Sequence, residues 1–216
     1  MAATFGWKAA VAVVINATAA TFVLRKHLLA PEPKTNGEEA VPVSVVAVHV
    51  GLLAAVVLMA HPPVAFLAIF LLFLGFTQAY DKHQSPLIIK EALLVGFFLA
   101  GLVVLGGMQA WWLQPIVSSL QPLALFMGSL GLTAITDNAA LTYLGSLIEG
   151  ISDESKYMLV AGAVAGGGLT VIANAPNPAG VALLKRGFAD ETVGAGGLLL
   201  GAVAATAVAA AAFLFL

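Results

Sequence analysis

Long apolar runs, most of them near twenty residues, take up the greater part of this chain, and they decide what it can fold into. The first extends from about Phe5 to Leu24 and stops at Arg25-Lys26. The second, about Pro42 to Ala60, is parted from the third, Val64 to Tyr80, only by His61-Pro62-Pro63, which reads as a tight turn between antiparallel segments. A fourth runs from about Leu87 to Met108, and an uninterrupted, alanine-rich run from about Val193 to Leu216 ends the sequence. A helix of about 20 apolar residues is what crosses a bilayer. Only 9% of the residues are charged and mean hydropathy is +1.02, whereas soluble domains carry roughly a quarter charged residues. The expected fold class is therefore an all-α polytopic membrane protein, with the lipid bilayer as its first partner.

The remaining composition excludes more than it suggests. Net charge is −2, so no basic surface speaks for nucleic acid, and the absence of cysteine removes disulfides, thiolate metal sites and thiol catalysis. The segment Pro31 to Glu39 is rich in Pro, Gly and charge and reads as a solvated loop. The first run also has features of a cleaved signal peptide, with Lys8 and small residues near its end. Arg25-Lys26 would then have to cross the membrane, against the charge rule.

Two further apolar segments are interrupted. Pro122 to Gly150 is broken at its centre by Thr136-Asp137-Asn138, and Tyr157 to Leu184 by Gly166-Gly167-Gly168 and then by Asn174-Ala175-Pro176-Asn177-Pro178. A re-entrant hairpin at Pro122–Gly150, with the N-terminus outside, puts Arg25, Lys26, Lys34, Lys82, Lys90, Lys185 and Arg186 on the cytoplasmic side. Only Lys8 and Lys156 are then left outside, a split of seven to two. If the segment spans instead, the best split is six to three, with Lys185-Arg186 stranded outside. The limbs Leu123–Thr133 and Ala139–Ile148 would each be about 15 Å long as helices, about half the hydrocarbon thickness. Asp137 is thereby expected near the midplane.

Breaks inside a membrane are tolerated where the backbone is buried in protein or lines a wet cavity, and transporters bind ions at such breaks. Thr136, Asp137 and Asn138 supply oxygen ligands at the first break. Gly166, Gly167 and Gly168 permit close backbone approach at the second, followed by Thr170, Asn174 and Asn177. Pro176 and Pro178 lack amide hydrogens and so free upstream carbonyls. A carboxylate at mid-bilayer costs at least about 2.5–3.5 kcal/mol on insertion scales. A group of this kind holds either a proton or a metal cation, because burial favours the neutral form and a bound cation the ionised one. That competition is the minimal machinery of cation/proton antiport. The bland alternatives are that Thr136–Asn138 merely caps a helix and that Asn174–Pro178 is a structural kink.

Other polar residues carry less. Asn16 and His49 lie inside runs, where a lone polar side chain usually bonds a neighbouring helix. Lys90, Glu91 and Glu149 stand near run ends, within reach of the interface, and Trp111-Trp112 reads as an interface anchor. His27, His61 and His83 fall in loops without metal-ligand spacing. Gly166–Gly168 lacks the Lys-Ser/Thr of a phosphate loop, and no catalytic triad is evident, so no enzyme and no cofactor are expected.

At "TAITDNAALTYLGS" (Thr133 to Ser146) and "GGGLTVIANAPNPAG" (Gly166 to Gly180) the chain resembles the ion transporter superfamily, and more closely the family described as putative sodium/proton antiporters. "FLLFLGFTQAY" and "LLVGFFLAGLVVLGG" resemble the same family, and the resemblance covers most of the chain from Phe5 onward. Members of the superfamily are two inverted repeats, each with spans, a re-entrant hairpin and a broken helix. The resemblance implies that Thr136, Asp137 and Asn138 are tip ligands faced by Asn174 and Asn177. Only one hairpin-plus-broken-helix unit is present, so the chain looks like a C-terminal repeat that needs a second transporter half or a homo-oligomer.

The expected layout is a single transmembrane domain. It has spans at 5–29, 41–60, 63–80, 87–108 and 193–216, a cytoplasmic loop at 30–40, a re-entrant hairpin at 115–150 and a broken span at 157–184. It would sit in the cell inner membrane with both termini on the non-cytoplasmic side. The expected activity is exchange of Na+ or Li+ for H+ at Asp137. Two alternatives stand beside it: a non-transporting accessory subunit of a larger membrane complex, suggested by the small-residue-rich helices, and an anion or carboxylate symporter, whose sites lack a carboxylate.

Overall fold

The computed structural model describes residues 2–28 and 40–216, so nearly all of the loop expected at 30–40 lies outside the described residues. Within them all the regular structure is helical, with no strands. The helices are α1 (Trp7–Leu28), α2 (Val43–Leu58), α3 (Pro63–Ala79), α4 (Ile89–Gly106), α5 (Ala110–Ser119), α6 (Pro122–Thr133), α7 (Asn138–Ser146), α8 (Asp153–Gly166), α9 (Asn177–Leu184) and α10 (Ala195–Phe215). Two helical stretches among the described residues are long and apolar enough to cross a membrane, Ala3–Leu28 and Ala195–Phe215. A third arises if Ala92–Gly106 and Trp111–Ser119, bent by 86° at the intervening break, count as one.

Two units make up the fold, one of residues 31–89 and one of residues 1–30 with 90–216. In the first, α2 packs on α3. Proline sets their lengths: Pro42 caps α2, and Pro62 and Pro63 start α3, where a missing amide hydrogen is harmless. The resulting helices have 16 and 17 residues, about 25 Å each at 1.5 Å per residue and short of a full ~30 Å hydrocarbon layer. His49, expected to bond a neighbouring helix, bonds the Val45 carbonyl of its own helix and Gln84 beyond α3.

The larger unit is built around α8. Its N-terminal end is clamped by Tyr157, whose hydroxyl donates to the Phe213 carbonyl of α10 at 2.7 Å and accepts from Lys8 of α1 at 2.8 Å. Phe5 stacks on the same ring at 4.8 Å. Asn16 ties α1 to α10 by donating to the Ala205 carbonyl. Deeper in, Phe126, Ala161, Ala165 and Phe213 form a core shared by α6, α8 and α10. A second cluster of Val117, Leu125, Ile148 and Leu159 closes the base of the α6–α7 hairpin.

Glycine decides how close α6 and α8 come. A Cβ at Gly162 would overlap Ser129 Oγ and the Phe126 carbonyl oxygen, and one at Gly166 would lie 2.5 Å from the Leu130 carbonyl oxygen. Positions rise together on the two helices, so α6 and α8 run in parallel. The α7 limb therefore returns between them, and α8 sets out again in the direction of α6. Large apolar side chains such as Phe97 (75% exposed), Leu200 (77%) and Phe22 (67%) lie on the outside of the protein, where a bilayer rather than water suits them.

Candidate functional site

The parallel run of α6 and α8 brings both helix breaks to one level. α6 ends at Thr133, and the chain turns through Ala134 to Thr136 before α7 begins at Asn138. α8 ends at Gly166, and residues 167–176 are non-helical until α9 begins at Asn177. The two segments are stitched together. The Asn138 amide donates to the Ala173 carbonyl at 3.0 Å, and the Thr170 hydroxyl donates to the Ala134 carbonyl at 2.7 Å.

Asp137 is 7% exposed and caps α7. Its Oδ1 accepts from the amides of Ala139 at 2.7 Å and Ala140 at 3.1 Å. Both bonds fall on one oxygen, and Oδ2 accepts none among the described residues. The capping role foreseen as the bland reading is thus present, and it leaves half of the carboxylate for another partner. Around it four helix ends converge: the carbonyl ends of α6 and α8, and the amide ends of α7 and α9.

The other expected ligands divide. Asn138 is half-buried, with its side-chain amide against Gly167, where an added Cβ would lie 3.2 Å from Nδ2. Asn177 donates from Nδ2 to the carbonyls of Gly167 and Thr170, both at 2.9 Å. That side chain holds the break in shape. Thr170 is spent on Ala134, though its hydroxyl oxygen keeps lone pairs. Thr136 is exposed, and its hydroxyl back-bonds the Leu132 carbonyl at 2.9 Å. Asn174 is half-buried, gives its backbone carbonyl to the Asn177 amide at 3.0 Å, and makes no side-chain hydrogen bond among the described residues.

Gly166 is the last residue of α8, Gly167 its cap, and Gly168 has open space where a Cβ would be. Pro176 and Pro178 do not interrupt a helix. They stand at the cap and first turn of α9, the place where proline starts helices. Beside the break a cavity of about 270 Å³ is lined by Gly168, Thr170, Pro176 and Asn177, with Leu198 of α10 opposite. Among the described residues no group of three or more His, Cys, Asp or Glu comes together, so oxygen from hydroxyls, amides and carbonyls dominates the donor set. Such hard donors suit alkali and alkaline-earth cations better than soft metals.

Three participants escaped the sequence. The carbonyls of Ala134 and Ala173 carry the cross-links, and backbone atoms leave no residue-type signature. Thr133 is fully buried with its hydroxyl unpartnered. It begins the quoted motif, yet nothing in its type distinguished it from a lipid-facing threonine.

No curated protein and no solved structure matches the chain. The sequence model of the family described as Putative Na+/H+ antiporter matches it over residues 1–216, its whole length, and the chain belongs to that family.

Proposed function

We propose that this chain exchanges Na+ for H+ by alternating access, with the Asp137 carboxylate holding the cation in one state and the proton in the other. The observation that carries this is the position of Asp137. It is buried at the hairpin tip, it uses only Oδ1 for its helix cap, and it stands where two non-helical segments meet. Asn138, Asn177 and Thr170 frame the junction, with Asn174 and Thr136 at its edges as further oxygen donors. A cation bound to Oδ2 and surrounding oxygens excludes a proton from the same carboxyl group, which ties the two fluxes together.

The architecture we propose is five spans, a broken span made of α8 and α9, and a re-entrant hairpin formed by α6 and α7. The parallel sense of α6 and α8 supports it, because a hairpin that returns to its own side leaves the next helix to enter in the original direction. In this reading the protein lies in the inner membrane, and a second half, from another polypeptide or another copy, completes the transporter.

The test is reconstitution of the chain into proteoliposomes and Na+- or Li+-driven collapse of a pH gradient. Exchange by the wild type that is lost in Asp137→Asn, with equal insertion, is the expected result. Equal exchange by both proteins would remove Asp137 from the mechanism.

A further inference from the structure

Among the described residues Thr77, Ser129, Thr133 and Asp137 are the buried polar ones. Three of them are bonded. Thr77 donates to the Leu74 carbonyl at 2.9 Å, Ser129 donates to the Phe126 carbonyl at 3.0 Å, and Asp137 accepts two amides of α7. Thr133 is 0% exposed, and its hydroxyl has no hydrogen-bond partner among the described residues. It does not bond back to its own helix, as Thr136 does to Leu132 and Thr142 to Asn138. A buried hydroxyl left alone costs stability, and valine has nearly its shape without that cost. Such a group calls for a partner that the protein itself does not provide.

The register of α6 on α8 places this hydroxyl. Contacts climb the two helices together. Gly162 meets Phe126 and Ser129, and Gly166 meets the Leu130 carbonyl. Beyond them the Thr170 hydroxyl donates to the Ala134 carbonyl at 2.7 Å, and the Ala173 carbonyl receives the Asn138 amide at 3.0 Å. Thr133 comes one helical turn after Ser129 and Leu130, so it lies on the face of α6 that meets α8, between the levels of Gly166 and Thr170. Asp137 follows another turn along, with Oδ2 free of hydrogen bonds among the described residues. Two oxygens with unused bonding capacity thus succeed each other along one seam.

The seam has a definite polarity at this level. α6 ends at Thr133 itself and α8 at Gly166, so the carbonyl ends of both helices, which carry partial negative charge, come together here. Glycine at 166 and 167 means that α8 offers backbone rather than side chains at its end. An anion is repelled from such a place. Hydroxyl and carbonyl oxygens are the hard donors that alkali cations take, and a hydroxyl oxygen has two lone pairs to give. The bland occupant is a buried water, which bonds the hydroxyl whether or not a cation is present.

We infer that Thr133 is an inner ligand of the transported cation, its hydroxyl oxygen replacing a hydration water as the ion enters the seam beside Asp137. This rests on the reading of Asp137 as the cation-binding carboxylate and adds an uncharged ligand from the preceding turn. The hydroxyl is unsatisfied in the cation-free protein and satisfied in the loaded one. It therefore weakens the first state and strengthens the second, and that opposition of sign is what a purely structural threonine or a water-bound one lacks.

The experiment is thermal unfolding of the full chain in detergent, in NaCl and in choline chloride of equal ionic strength, with Na+ titrated between them. A ligand of the folded state raises the melting temperature with its concentration. In choline chloride Thr133→Val should melt at or above the wild type. In Na+ it should need about tenfold more cation, or more, to reach half of the wild-type rise. Thr133→Ser, which keeps the hydroxyl, should respond to Na+ as the wild type does. A Thr133→Val chain that melts below the wild type in choline chloride, one that keeps the wild-type response to Na+, or a wild type indifferent to Na+ would each overturn the proposal. Asp137→Asn separates the two readings. If it loses the Na+ response while Thr133→Val keeps it, Thr133 is no ligand and the reading of Asp137 stands. If Thr133→Val loses the response while Asp137→Asn keeps it, Thr133 stands and the reading of Asp137 falls.

Discussion

Asn177 donates both amide hydrogens backwards, to the carbonyls of Gly167 and Thr170 at 2.9 Å each, and so the first residue of α9 closes the non-helical loop that precedes it. A residue foreseen as an ion ligand acts first as the clasp of the break. The two roles separate by substitution. Asn177→Ala leaves the carbonyls of buried Gly167 and half-buried Thr170 without their donor and should destabilise the protein by about 1–3 kcal/mol. Asn177→Asp sets an acceptor against two acceptors and should be worse. Thermal unfolding in detergent measures both, and an Asp variant as stable as the wild type would contradict the clasp.

Asp137 combines a charge with a cap, and these too come apart. Asparagine caps helices about as well as aspartate, so Asp137→Asn should keep α7 and unfold within a few tenths of a kcal/mol of wild type. Asp137→Ala loses the acceptor for Ala139 and Ala140, and should cost about 1 kcal/mol. Both should lack exchange. Melting curves set beside transport rates decide the matter, and exchange retained by the Asn variant would show that the charge is dispensable.

The contact of α6 with α8 predicts a contrast among glycines. Gly162→Ala drives a methyl group into Ser129 and into the Phe126 backbone, which cannot swing aside. Overpacking of this kind costs about 1–3 kcal/mol. Gly197→Ala in α10 meets nothing within 4 Å and should be neutral or slightly stabilising through helix propensity. Equal melting temperatures for the two variants would mean that α6 and α8 are further apart than described.

Tyr157→Phe removes the hydroxyl that joins α8, α10 and Lys8 while leaving the stack on Phe5 in place. A loss of about 0.5–1.5 kcal/mol is expected for a bond of this kind. Limited proteolysis near the N-terminus should quicken in the variant, since α1 loses one of its ties.

Much of this was open to reading in the sequence. Its apolar runs announced helices, because no other use of so few charges fits a chain of this length. The two interruptions stood out because Asp, Asn, Pro and Gly are costly in an apolar helix. What the sequence concealed is tertiary. Nothing in "GGG" distinguishes Gly166, which admits the Leu130 carbonyl, from Gly168, which faces open space. The prolines at 176 and 178 were legible as part of a break but not as the start of the next helix, since the same residue type ends one helix and begins another. Gly162, outside every motif, sets the distance between helices that aligns the breaks. Its effect depends on Ser129 and Phe126, far away in sequence. Pro42 and Pro63 shortened α2 and α3 in a way that hydropathy alone does not register.

The convergence of four helix ends has an electrical consequence. Each end contributes roughly half an elementary charge. Two carbonyl ends and two amide ends leave the backbone at the junction close to balance, a quadrupole rather than a pole. Such a place does not choose between positive and negative visitors by itself. Under the proposed mechanism the choice of sign then rests on a single side chain, and the same scaffold with Asp137 neutralised would have no reason to prefer a cation.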